Sequence, residues 1–182
     1  SAFKKVYYDH YLGRMVSRLV LPDDLYIPYN GSSVMSECRR ITHRLAMDSN
    51  EFKKRVVSGE YLDVQVDEDG SALNNDQIKD AVNRITGINP SGEPEELSLL
   101  EFQVDLDIPE YEDTDEKGNA TEIKLPYVVT MDEASGQILR ICRNWREDDE
   151  LKLRLEYFVH YVLVEGTGAY GLGFVHLIGG LS

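Results

Sequence analysis

The sequence predicts an α+β domain: mostly antiparallel sheet or sheets, about two short helices packed on one face, and a long acidic loop between strands. Short runs with two-residue alternation recur along most of the 182-residue chain. Only two segments place apolar residues at helical spacing between a cap and a stop. Acidity is local, with 12 acidic residues between Glu93 and Glu122 against Lys117 alone, in a chain of formal charge -14. The length suits a single domain over residues 1–182, with 109–121 as an acidic insertion, and 42% hydrophobic content supplies a core.

The elements follow in order. Phe3 to Tyr8 and Met15 to Leu21 alternate and are joined by a turn at Gly13, which predicts a hairpin. Asp23 to Gly31 is a turn-rich edge, because Pro28 cannot donate to a ladder. Cys38 to Met47 is a strand with one apolar face that carries His43, a position suited to a hydrogen-bonded core histidine. Asp48 to Glu51 offers N-caps for a helix from about Asn50 to Val57, stopped at Gly59. A second helix is expected over Asp76 to Thr86, with Ile78, Ala81, Val82 and Ile85 on one face and Gly87 at its end. Leu97–Ile108, Glu122–Met131, Gly136–Trp145 and Leu153–Val164 complete the strands, with Asp132 to Gly136 a hairpin-sized connection. The densest acidic part, Glu110 to Ala120, reads as a solvated loop, since like charges repel and little there needs burial.

Several patterns invite chemistry. Gly166, Gly168 and Gly171 spell G-x-G-x-x-G after a strand-like run, the phosphate-binding fingerprint of dinucleotide sites. That fingerprint needs a following helix, a second strand and an acidic ribose ligand, and 11 residues rich in glycine cannot supply them. A glycine-rich turn between buried strands is the reading adopted. Asp67, Asp69, Gly70 and Asp76 match a calcium loop whose first position is Gln65 rather than a carboxylate, so a plain Asp/Gly turn is expected. Cys38 and Cys142, 104 residues apart, suit buried structural thiols in a reducing compartment. Arg39, Arg40, Arg44, Lys53, Lys54 and Arg55 form the best basic cluster, but on a strand and a short helix they point in several directions and read as surface charge.

His10, His43, His160 and His176 fall in no H-E-x-x-H pair, and there is no nucleophile elbow or Walker phosphate loop. No catalytic residue, cofactor or metal ligand is assigned. Tyr157 to Ser182 has the length of a membrane span, but its six glycines, two histidines and Glu165 favour burial against a sheet or a neighbouring subunit. The chain opens on Ser1-Ala2 with no secretory signal and closes inside this apolar tail, so both ends read as cuts through a longer polypeptide.

The tail supports a more specific comparison. Glu156-Tyr157-Phe158-Val159-His160-Tyr161, Gly168-Ala169-Tyr170-Gly171-Leu172-Gly173 and His176-Leu177-Ile178-Gly179-Gly180-Leu181 follow one another there. At the other end stand Ala2-Phe3-Lys4-Lys5-Val6-Tyr7-Tyr8-Asp9, Gly13-Arg14 and Asp23-Asp24-Leu25-Tyr26-Ile27-Pro28-Tyr29, followed by Arg40-Ile41-Thr42-His43-Arg44-Leu45 and Asn50-Glu51-Phe52-Lys53. Together these resemble the wing region of tailed-bacteriophage portal proteins, the head-to-tail connectors, of the large P22-like type.

The resemblance implies a structural protein of virion assembly: a segment of a homo-oligomeric ring, usually of twelve subunits, at one capsid vertex. Such a ring docks the terminase and then the tail adaptors, contacts the capsid, and passes duplex DNA through its channel during packaging and ejection without reading its sequence. ATP hydrolysis belongs to the terminase, so this chain is expected to be no enzyme. It would lie in the virion, and in the host cytoplasm during assembly, with no membrane partner. Tyr7, Tyr8, Tyr157 and Tyr161 are candidates for neighbour contacts, with core packing as their other use. Two rival readings stay open: a nucleotide-cofactor-binding enzyme using Gly166, Gly168 and Gly171, and a calcium-responsive binding module.

Overall fold

A computed structural model describes residues 2–10, 12–28, 34–64, 96–114, 117–162, 164–166, 169–173 and 179. Among them the fold is α+β, with two mostly antiparallel sheets, one short α-helix and two 3-10 turns. The strands are β1 (Ala2–Asp9), β2 (Arg14–Val20), β3 (Leu25–Tyr26), β4 (Arg40–Asp48), β5 (Glu96–Leu106), β6 (Leu125–Asp132), β7 (Ile138–Arg143) and β8 (Phe158–Tyr161). The helix α1 spans Ser49–Val57. One sheet has the order β2-β1-β8, and the other β3-β4-β5-β6-β7.

The chain divides into two compact units. The first comprises Ser1–His43, Phe102–Val128 and Cys142–Ser182, and the second Arg44–Glu101 and Val129–Ile141. Phe3, Val20, Leu25, Ile27, Met35, Cys38, Ile41, Phe158 and Ala169 form the core of the first. Met47, Phe52, Tyr61, Leu97, Leu99 and Leu139 form that of the second.

In the first unit the expected hairpin forms. Phe3 lies opposite Val20 and Asp9 opposite Arg14, and Gly13 takes a left-handed φ of 62° that a side chain would strain. The Asp9 carboxylate accepts from the Leu12 N–H at 3.1 Å and fixes the turn. On the other side of β1, antiparallel β8 sets His160 opposite Phe3 and Phe158 opposite Lys5. The hairpin and the tail, far apart in sequence, thus share one ladder. The edge expected around Pro28 is present as the short β3, which pairs only with β4.

In the second unit, local signals do most of the work. The Asp48 carboxylate caps α1 by accepting from Asn50 N at 2.8 Å and Glu51 N at 3.2 Å. Gly59, with φ 76°, stops the helix where the sequence predicts. Phe52, the buried residue of α1, packs against the Tyr61 ring at 5.9 Å. The β6–β7 connection is closed by Asp132, whose carboxylate accepts from the Ser135 N–H at 2.8 Å and hydroxyl at 2.6 Å.

Three expectations need correction. The strand expected over Leu153–Val164 shortens to Phe158–Tyr161. Lys152 has a left-handed φ of 48°, and Arg154 turns away to bind backbone carbonyls, so the preceding residues cannot join the ladder. Likewise β7 ends at Arg143, because Asn144 and Trp145 turn out of extended register. Glu60 to Val66 alternates like a strand in sequence, yet its described part, 60–64, is irregular and touches β7 through one bond, Leu62 N to Leu139 O at 2.8 Å. The helix expected over 76–86 and the calcium pattern at Gln65, Asp67, Asp69, Gly70 and Asp76 lie outside the described residues.

Candidate functional site

Because side chains alternate across a strand, the register of β2-β1-β8 assigns each residue to a face. The inner face carries Phe3, Val20 and Phe158 into the core of the first unit, with Phe3 fully buried. His160 also lies on it, stacked on the Phe3 ring at 4.5 Å and 11°, so it serves packing. Lys5 is buried there with its ammonium over the Tyr7 and Phe158 rings at 5.4 and 5.8 Å, which replaces part of the hydration it loses.

The outer face is different in kind. Leu19, Lys4 and Val159 form one cross-strand row, with Met15 and Tyr8 paired further along and Tyr161 opposite Ala2. Leu19 is 71% exposed, Met15 62%, Tyr161 54% and Tyr8 50%. Scattered apolar residues are ordinary on a surface, but a contiguous apolar sheet face marks an interaction site. Tyr8 and Tyr161 are therefore surface residues. Tyr157 packs partly against the core, and Tyr7 is half-buried.

Two side chains tie the tail segment to the rest of the first unit. Arg154 donates from Nη1 to Cys38 O at 2.6 Å and from Nη2 to Ser36 O at 2.8 Å and Met35 O at 3.1 Å. It thereby satisfies the carbonyls at the end of the Met35–Glu37 turn. The Tyr170 hydroxyl donates to Leu25 O and accepts from Ile27 N at 3.3 Å. Arg154, Met35, Ile41, Gln103 and Phe158 also line a cavity of about 10 Å³, room for one water and not for a nucleotide.

The glycine fingerprint has a structural use. Val164 and Leu172 form an antiparallel bridge, with Leu172 N bonded to Val164 O at 2.9 Å, and Gly166 sits within the turn between them. A Cβ built on Gly166 would run into the Tyr170 carbonyl oxygen. Close backbone approach within a tight turn accounts for this glycine. Gly168 and His176 lie outside the described residues.

The acidic loop joins β5 to β6 and is pinned. Lys152 bonds the Asp113 carboxylate, and the Thr121 hydroxyl donates to it at 2.7 Å. These hydrogen bonds, from Lys152 first and then Thr121, hold the Asp113 pKa below the ordinary carboxylate range. Thr114 and Ala120 form a bridge across the loop. The described non-glycine residues with positive φ are Glu110 (73°), Glu122 (59°) and Lys152 (48°), that is, both ends of the loop and its anchor. Left-handed backbone costs a non-glycine residue roughly 1 kcal/mol, so this loop is held against its local preference. Tyr111, 63% exposed, and Ile123, 55% exposed, stand on it among carboxylates.

The remaining candidates are dispersed. Cys38 is buried, Cys142 partly so, and both thiols are free. Burial pushes the Cys38 pKa up, with Arg154 pulling it down and Glu37 adding to the rise, the opposite of an activated nucleophile. His43 is buried against the Phe158 ring at 5.5 Å, and His10 meets Tyr8 at 5.1 Å. Of the basic cluster, Arg39, Arg40, Lys53 and Lys54 are exposed, whereas Arg55 bonds Glu51 at 2.8 Å and Glu60 at 3.2 Å. Among the described residues no group of three or more His, Cys, Asp or Glu is placed to hold a metal, and no helix is long and apolar enough to cross a membrane.

The alternation of the hairpin was legible in sequence, but which of its faces stays open was not, because Leu19 and Val20 are equally apolar. Arg154 and the Lys152–Asp113 anchor carried no sequence signal, since both are partnerships across more than 35 residues. No protein-family model matches the chain, and no curated protein matches it.

Proposed function

We propose that this chain is a structural assembly segment, part of the wing of a portal-like, ring-forming connector of a bacteriophage virion. In this role it supplies shape and subunit contacts, and the chemistry of DNA packaging resides in a separate terminase. The ring would sit at the capsid vertex, dock terminase and then tail adaptors, and let duplex DNA pass without sequence-specific binding.

The observation that carries this reading is the open apolar face of β2-β1-β8. It is built from the N-terminal hairpin and the Glu156–Tyr161 strand, the two ends of the chain on which the portal resemblance rests. A monomeric surface rarely leaves such a face to water, whereas a subunit meant for assembly needs one. The net charge of -14 also fits a body past which duplex phosphates slide and do not stick.

The test is imaging of the full-length protein by electron microscopy together with mass photometry. Closed rings with a central channel are expected. A monomer at all accessible concentrations that binds NAD saturably, with binding lost in Gly168→Val, would replace this reading by the cofactor enzyme. A calcium-dependent rise in melting temperature, reversed by chelator, would replace it by the calcium module.

A further inference from the structure

The open sheet face and the pinned acidic loop are chemically complementary, and both lie in the first unit. We infer that they meet between copies: the outer face of the β1–β2 hairpin of one subunit receives the Glu110–Tyr111–Glu112 segment of the next. The inference rests on the ring-segment reading and names the contact that closes the ring.

The face presents an apolar row, Leu19 and Val159, with the exposed Lys4 between them, and the exposed Arg18 stands next to Leu19 on the free edge strand. The loop presents the inverse arrangement, one exposed aromatic between two exposed carboxylates. Tyr111 supplies an amphipathic anchor for the apolar row, and Glu110 and Glu112 supply the charges that Lys4 and Arg18 lack on this face. The Asp113–Lys152 anchor directly behind the segment presents it already ordered, so docking loses little chain entropy.

Geometry favours a second copy as the occupant. The two patches are different surfaces of one chain, so their contact is head-to-tail, and a repeated head-to-tail contact with a fixed rotation closes into a ring. A two-fold dimer would instead set Lys4 and Arg18 near their own copies and repel.

Charge reversal in the full-length protein tests this. Lys4→Glu with Arg18→Glu, and separately Glu110→Lys with Glu112→Lys, are each expected to lower the ring fraction about tenfold at low salt, because like charges then face each other. Combining all four substitutions in one chain restores opposite charges at every junction and is expected to recover rings to within about threefold of the parent. Circular dichroism and melting of each variant verify that the exposed substitutions leave the fold intact. Folded single-patch variants that assemble like the parent overturn this contact while leaving the ring reading standing. So does failure of the four-fold variant to recover, which assigns the hairpin face to another occupant. A parent protein that forms no rings overturns both.

Discussion

The two units are built by opposite strategies. The second takes its order from neighbours in sequence: Asp48 caps the helix that follows it, Gly59 stops it, and Tyr61 folds back on Phe52. Its rim is a charge network in which Glu60 bonds Arg55 at 3.2 Å and Arg140 at 2.7 Å. The first unit takes its order from remote partners. Phe3 needs His160 and Tyr170, the Met35–Glu37 turn needs Arg154, and Leu25 needs the Tyr170 hydroxyl. A fold assembled from remote ties is expected to be slower to form and more easily broken by one substitution.

The largest blow to the first unit is Phe3→Ala, which empties its best-buried position. A loss of about 3–5 kcal/mol is expected. Amide exchange should speed up in β1 and β8 ahead of α1. Equal acceleration in both units would dissolve the contrast drawn between them. Arg154→Met comes next, at about 2 kcal/mol, since it keeps much of the apolar stem and strands carbonyls of the 35–38 turn. Proteolysis within residues 34–39 is the readout.

Asp48→Ala removes the cap of α1 and should cost about 1 kcal/mol, confined to the second unit. Helicity at 222 nm and amide exchange at Asn50 and Glu51 check it. The smallest effect is a matter of pH. Burial first, with the Glu60 carboxylate adding to it against the pull of Arg55, pushes the Tyr61 pKa up to about 12. A phenol held neutral in the fold titrates near 10 when unfolded. Its contribution is therefore complete below pH 10 and declines as pH rises towards about 12. Absorbance titration at 295 nm, compared with Tyr61→Phe, should show one phenol ionising late.

The same contrast governs what sequence could disclose. The helix 49–57, its cap and its stop were readable because each signal lies within a few residues of what it controls. The hairpin was readable from alternation and Gly13. The strand ending in β8 was overextended, because Leu153 and Leu155 continue an apolar rhythm while Arg154, between them, is claimed by carbonyls over 100 residues away. The acidic loop was seen as solvated charge, and most of it is. What composition could not reveal is that Asp113 turns inward to Lys152 and fixes the shape of the rest. The G-x-G-x-x-G pattern was legible as a turn for a physical reason: nothing after it could form the helix a phosphate site needs.

One consequence of the β2-β1-β8 ladder belongs to the ribosome. Lys5 emerges some 150 residues before its partner Phe158, so at ordinary rates of synthesis, about 5–20 residues per second, the far edge of β1 waits roughly 8 to 30 s for its mate. Through that interval the nascent hairpin exposes the Phe3 ring as well as Leu19. A chaperone that shields the early hairpin would therefore govern the yield of folded chain more than any step after release.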